Sequence, residues 1–372
     1  MQLNTLTSKP HYLILDGLRG VAAVMVVAFH IFEAHAPSRF QQVINHGYLA
    51  VDFFFLLSGF VVGYAYDDRW GKMTLGNFFK RRLVRLQPMV VMGMIVGAVC
   101  FYFQDSVLWP GISEVPVWKM LMMMLIGFTL LPVPTSMDIR GWTEMHPLDG
   151  PAWSLFFEYI ANIMYGLFVR KFSKAALSVL VVLAGAALVQ LAAVGGNGDV
   201  IGGWSLEPAQ LRIGFTRMIY PFFAGLLLFR TGKLVQVKHA FGWCSLLIVL
   251  VLSLPRIGGP EHLWMNGLYD SFSIIFIFPI IVLLGAGGTV TGKFASRLCK
   301  FFGDISYPIY ITHYPLIYIY TAWVANTKIP LQDAFPVSVL VLASSVVLAW
   351  ACLKLYDEPV RVWLKRKVLK GN

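Results

Sequence analysis

Charge is scarce in this sequence. Only 13% of its 372 residues are Asp, Glu, Lys or Arg, against ~25% in a soluble domain, while 58% are hydrophobic and the mean hydropathy is +0.69. So few charges cannot cover a water-facing surface, so most of this one must face lipid. Acidic residues are the rarer sign, 19 against 30 basic, which leaves a net charge of +11. That excess is not a nucleic-acid footprint, because the Lys and Arg residues fall in short clusters between long apolar runs, the pattern of cytoplasmic loops. Cysteine is nearly absent: Cys100, Cys244, Cys299 and Cys352 are scattered, with no CxxC pair and no His at ligand spacing. This excludes a disulfide framework and a zinc site, so no metal is expected. There is no internal repeat, and no loop is long enough for a separate soluble domain. Residues 1–372 therefore read as one integral membrane domain.

What is present is apolar length. Segments of the ~17–25 residues that a bilayer core demands, or nearly so, occur near 13–33, 47–66, 86–104, 153–170, 175–194, 212–230, 240–256, 270–287, 304–324 and 335–355. A shorter stretch, 118–131, ends in Pro132 and Pro134. Basic groups at Arg69 to Arg85, Arg170-Lys171-Lys174, Arg230-Lys233-Lys238, Lys293-Arg297-Lys300 and Lys365-Arg366-Lys367-Lys370 all belong on the cytoplasmic side. These assignments close only if 118–131 does not cross, which places the acidic loop Asp138 to Asp149 outside. The expected fold is an all-α polytopic bundle of about ten spanning helices plus one re-entrant or interfacial segment, with both termini inside. Lys9, Arg19, the run Val21 to Phe29 and Ala34-His35-Ala36 imitate a signal peptide. His30 and Glu33 break that run and Pro37 would follow the cut, so the segment reads as a first span that is kept.

An ionisable group inside a membrane costs on the order of 3 kcal/mol, so each one is a functional candidate. Arg19 and His30 lie eleven residues apart on the first helix, about 20° apart around its axis and ~16 Å along it. They share a face, against the plainer reading of a snorkelling arginine and a satisfied core histidine. Glu158 falls at a depth comparable with His30, where a carboxylate would orient an imidazole, or else serve as a structural ion-pair partner. Asp52, near the start of the second span, competes for that partnership or caps its helix. Arg81, Arg82 and Arg85 precede the third span, and Arg82 and Arg85 share a face at i, i+3. Their fork-shaped donors suit phosphates, although arginines at this position also simply set orientation and touch anionic lipid. Tyr307, Tyr310, Tyr314 and His313 form a stripe in the ninth span, and Ser58 is a further polar residue in the second. These, with Trp153 at the head of the fourth span, are candidate contacts for an oxyanion or acceptor. Trp109, Trp142, Trp204 and Trp264 in loops would stack on sugar rings or anchor at the interface. The Asp357-Glu358-Pro359 tail with Arg361 is assigned no chemistry.

Six motifs in order carry a resemblance: LDGLRGVAAVMVVAFH at Leu15 to His30, FFFLLSGFVVG at Phe53 to Gly63, KRRLVRLQP at Lys80 to Pro88, WSLFFEY at Trp153 to Tyr159, ISYPIYITHYPL at Ile305 to Leu316 and YDEPVRVWL at Tyr356 to Leu364. Together they resemble the membrane-bound acyltransferase 3 family of bacterial O-acyltransferases, over nearly the whole chain. The resemblance implies His30 as the essential catalytic residue, Arg19 as its motif partner, and Arg82 and Arg85 as determinants of cytoplasmic acyl-CoA binding. It also implies ten spans, in agreement with the charge pattern. Some members carry an extracellular hydrolase-like domain that these motifs do not include. The expected activity is transfer of an acyl group, most simply acetyl from acetyl-CoA, to a hydroxyl of an extracytoplasmic carbohydrate or lipid-linked glycan. The expected setting is the lipid of a bacterial inner membrane, with no nucleic-acid partner. His30 would act as general base or as acyl carrier. The rival reading is a transporter or flippase with Arg19, Glu158 and His313 as a polar relay, for which the paired broken helices of an inverted repeat are missing.

Overall fold

A computed structural model of the chain describes Lys9, residues 11–290 and residues 292–369. Lys370, the last residue of the final basic cluster, lies outside the described residues. The architecture is helical throughout, with no β-strand among the described residues. In chain order the α-helices are α1 (Leu13–Glu33), α2 (Ala50–Tyr66), α3 (Leu75–Cys100), α4 (Val117–Phe128), α5 (Ala152–Leu167), α6 (Lys174–Val189), α7 (Pro208–Thr231), α8 (Ala240–Ser253), α9 (Trp264–Phe272), α10 (Phe278–Gly287), α11 (Lys293–Thr312), α12 (Tyr314–Thr327), α13 (Leu331–Cys352) and α14 (Glu358–Val368). The chain signals its own starts. Thr74 Oγ1 accepts from the Asn77 amide before α3, Ser173 Oγ accepts from the Ala176 amide before α6, and Pro208 opens α7.

All ten expected apolar segments fall on helices. Seven helical stretches among the described residues are long and apolar enough to cross a bilayer, including α9 and α10 joined through a π turn into Trp264–Gly287. The remaining three segments are α5 and α8, of 16 and 14 residues, and a ninth that is interrupted at one residue. It is the end of α11 and the start of α12, broken at His313. Pro315 has no N–H to give the Ile311 carbonyl, so one rung of the ladder is missing here, while the His313 N–H still bonds the Ile309 carbonyl.

The stretch 118–131 contains a short helix, α4. At 12 residues α4 is ~18 Å long, too short for a ~30 Å hydrocarbon core. Its last turn packs on α3, where the Gln87 side chain donates to the Phe128 carbonyl. The chain then turns back through Leu130 at φ 60°.

α1 and α11 lie side by side and run in the same direction. Gly17 meets Cys299 and Gly20 meets Phe302, where a Cβ on Gly20 would collide with the Phe302 carbonyl oxygen. This approach sets Arg19 beside Ser306 and His30 beside His313. α13, a π turn over Leu353–Asp357 and α14 form one helical stretch of 38 residues, ~57 Å, which outruns the bilayer. Its polar end returns to pack on α3.

Candidate active site

α1, α2, α3, α5, α11 and the Leu353–Asp357 turn enclose a cavity of about 680 Å³, within the range of small-molecule sites. It opens on the face that carries the basic loops, where His11, Lys300, Arg361 and Lys365 line it. Further in are Arg85, Arg82, Glu158 and Arg19, and at its closed end Ser58, Ser154, Phe54 and Tyr310.

Each wall residue is placed by a bond. Arg19 donates from Nε to Ser306 Oγ at 2.8 Å, and its Nη2 lies 3.3 Å from Asp16 Oδ1. Asp16 also holds the His11 ring at 3.6 Å, and this carboxylate raises the His11 pKa above its ordinary value. Arg82 donates from Nη2 to Glu158 Oε1 at 2.7 Å, and the same oxygen accepts from Ser58 Oγ at 2.7 Å. Tyr310 and Ser154 share a hydroxyl–hydroxyl bond of 2.7 Å. Lys300 pairs with Asp304 and Arg361 with Asp357. Arg85, like Lys365 at the mouth, is an exception and lines the cavity with no side-chain ion pair or hydrogen bond among the described residues, a cation free to meet an anion.

His30 lies beyond the closed end. Its Nδ1 is 2.7 Å from Glu33 Oε2, one turn further along α1, and its ring stacks on His313 at 5.8 Å and meets Tyr314 edge-on at 4.7 Å. Phe54 and Tyr310, ring against edge at 5.3 Å, stand between the cavity and the two histidines.

Several expected placements are corrected. Glu158 does not partner His30: α5 turns it toward α2 and α3, where Arg82 claims it, and the carboxylate on His30 is Glu33. With Glu158 on Arg82, the relay of Arg19, Glu158 and His313 is not connected either. Asp52 neither reaches His30 nor faces the cavity. It is fully buried in a two-pronged ion pair with Arg217, at 2.7 and 3.2 Å, which ties α2 to α7. Trp153 is buried beneath that same guanidinium, 5.3 Å from its ring centre, and offers no open face to a ligand. Arg81 is not among the residues lining the cavity, since α3 turns Arg82 and Arg85 inward instead. Tyr307 does line the cavity and bonds the Leu86 carbonyl at 2.7 Å, whereas His313 is wholly buried outside it. Trp109 is a core residue under Arg140 and not a loop anchor.

Three residues that matter here carried no expected role. Glu33 was signalled only by its i, i+3 spacing from His30. Asp16 and Ser306 position Arg19 from one turn away and from a helix 287 residues on. The Asp357–Arg361 tail, assigned no chemistry, lines the cavity mouth.

A family model described as an acyltransferase domain matches residues 12–354. The chain belongs to the acyltransferase 3 family. Protein 2 in the picA locus of Rhizobium radiobacter is 33% identical over 168 residues, 41% of this chain and 80% of that protein. Acyltransferase MdmB of Streptomyces mycarofaciens is 33% identical over 168 residues, 43% of this chain and 40% of that protein. O-acetyltransferase OatA of Staphylococcus aureus is 24% identical over 372 residues, 95% of this chain but 58% of its own length. The chain thus spans little more than half of the Staphylococcus relative. No solved structure matches. The family is one of acyltransferases, and the chain's helices are those of a membrane protein.

Proposed function

We propose that the protein moves an acyl group, most simply acetyl, from cytoplasmic acyl-CoA to a hydroxyl on an extracytoplasmic carbohydrate or lipid-linked glycan. The observation that carries this reading is the cavity itself, which presents Arg85 unpaired near a basic mouth and closes two ring contacts short of His30. In this reading the basic face is cytoplasmic and the membrane is the bacterial inner membrane, which also brings both termini inside. The nucleotide phosphates sit just inside the mouth on Arg85, with Lys365 and Lys300 adding positive field. The pantetheine arm runs past Arg19 toward Phe54, whose side chain swings aside to let the thioester reach His30. Glu33 holds the Nδ1 proton of His30 and leaves Nε2 to act on the carbonyl or the incoming hydroxyl. The activity resembles the one named for the Staphylococcus relative, an O-acetyltransferase, and the acyltransferase named for the Streptomyces one.

The test is thiol release. Purified protein in detergent is expected to free CoA thiol from acetyl-CoA, and His30→Ala to abolish the release. Solute movement across vesicles with no thiol release would overturn the enzyme reading in favour of transport.

A further inference from the structure

His313 sits at the break between α11 and α12, with no exposed surface. Its Nδ1 lies 2.9 Å from the carbonyl oxygens of both Ile309 and Tyr310. Carbonyl oxygens only accept, so Nδ1 carries the proton and Nε2 keeps its lone pair. That Nε2 is buried and has no hydrogen-bond partner among the described residues. His30 is arranged the same way. Its Nδ1 gives a proton to the Glu33 carboxylate, and its Nε2 is left without a protein partner among the described residues.

The two rings stack at 5.8 Å with 28° between their planes. Two lone pairs cannot bond each other, and a buried acceptor left unmade costs about 1–3 kcal/mol. What the pair lacks is a donor, and an O–H group is the donor the proposed reaction brings. On the side away from the cavity the approach reaches Glu33, whose side chain is 51% exposed, and His30, 17% exposed, with His313 buried behind the His30 ring.

We propose a division of labour in which His30 carries the acyl group and His313 is the base that deprotonates the acceptor hydroxyl. The inference rests on the acyl-CoA reading above. In the first step His30 Nε2 forms a bond to the thioester carbonyl carbon, the carbon–sulfur bond breaks, and CoA leaves as thiolate, which takes a proton from water. The Glu33 carboxylate faces the positive charge of the acylated ring. In the second step the acceptor oxygen bonds that carbonyl carbon, the bond to His30 Nε2 breaks, and the hydroxyl proton passes to His313 Nε2 and then to water. CoA thiol and ester are the products, the proton taken from water in the first step being returned in the second, and no oxidant or metal is consumed.

The experiment separates the two steps in the full-length protein with acetyl-CoA as donor and methyl glucoside as probe acceptor. His313→Asn is the diagnostic variant, because its amide N–H keeps the bond to the Ile309 and Tyr310 carbonyls while the Nε2 acceptor is gone. Expected is one equivalent of thiol per protein without acceptor, an intact mass raised by one acetyl group, and ester formation down at least about 100-fold. His30→Ala should give neither thiol nor acetylated protein. Turnover by His313→Asn within about threefold of wild type, or loss of its first equivalent of thiol, would overturn the role of His313. Absence of any thiol from wild type, which needs no acceptor in the first step, would instead reject the acyl-CoA reading.

Discussion

His30 Nδ1 and Glu33 Oε2 lie 2.7 Å apart on adjacent turns of α1, while Glu158, the carboxylate at a similar sequence-estimated depth, is bonded to Arg82. The two carboxylates therefore do different work, and their removal should be felt differently. Glu33 is half exposed, so Glu33→Gln should leave stability nearly unchanged and lower kcat about 10- to 100-fold through loss of the imidazole's orientation. Glu158→Ala leaves the Arg82 guanidinium, 7% exposed, without its partner and should cost about 2–4 kcal/mol. Melting in detergent together with thiol-release kinetics on both variants distinguishes them, and equal melting losses would contradict this assignment.

Arg85 is free of ion pairs where its neighbours are not. Arg85→Ala removes one charge-assisted contact to phosphate, worth about 1.5–3 kcal/mol, so the KM for acyl-CoA should rise tenfold or more with kcat little altered. The wild-type KM should also rise with salt more steeply than that of the variant. A kcat loss at constant KM would place Arg85 in the chemistry instead.

Phe54 closes the inner end of the cavity against Tyr310. Phe54→Ala is expected to let water reach the thioester, so thiol release in the absence of acceptor should rise severalfold while ester formation per thiol released falls. Unchanged coupling between the two would show that the ring is only packing.

Gly20 is the point of closest approach between α1 and α11. Gly20→Ala pushes a methyl group into the Phe302 backbone, which cannot swing away as a side chain would, and should destabilise by about 2–4 kcal/mol. Because the same contact sets His30 beside His313, thiol release should fall along with the melting temperature.

The loop that holds Glu144 and His146 carries a pH dependence of its own. Burial pushes the Glu144 carboxyl up to about 7, against the pull of Arg140 and the Tyr318 hydroxyl. The folded state therefore keeps a proton that the unfolded chain releases, so this contribution is complete below about pH 4.5 and is lost as pH rises through about 7. Burial of His146 acts oppositely, lowering it to about 4, so that its contribution is lost as pH falls from about 6.5 toward 4. Glu144→Gln stays neutral at every pH and retains an acceptor for Tyr318. Its melting temperature relative to wild type should rise between pH 5 and pH 8, and a constant difference would contradict the assignment.

The sequence by itself determined the membrane architecture. Ten apolar runs, the basic clusters between them and the shortness of 118–131 follow from the cost of putting charge or unbonded backbone into hydrocarbon, a local property that each segment carries alone. It also singled out His30, Arg19, Arg82 and Arg85, because an ionisable group within or at the edge of an apolar run is visible without neighbours. Which group meets which was decided only by tertiary structure. Counting depth along a helix gives Glu158 a plausible level but not the direction in which α5 faces. Asp52 and Trp153 looked available until Arg217, 165 residues beyond Asp52, was seen to bury them. The break at His313 needed both: Pro315 removes a rung of the helix ladder, but only the close parallel packing of α1 on α11 brings the imidazole at that break against His30. Pairing between distant segments is set by packing of whole helix faces, and that information is spread over the chain rather than written in any one motif.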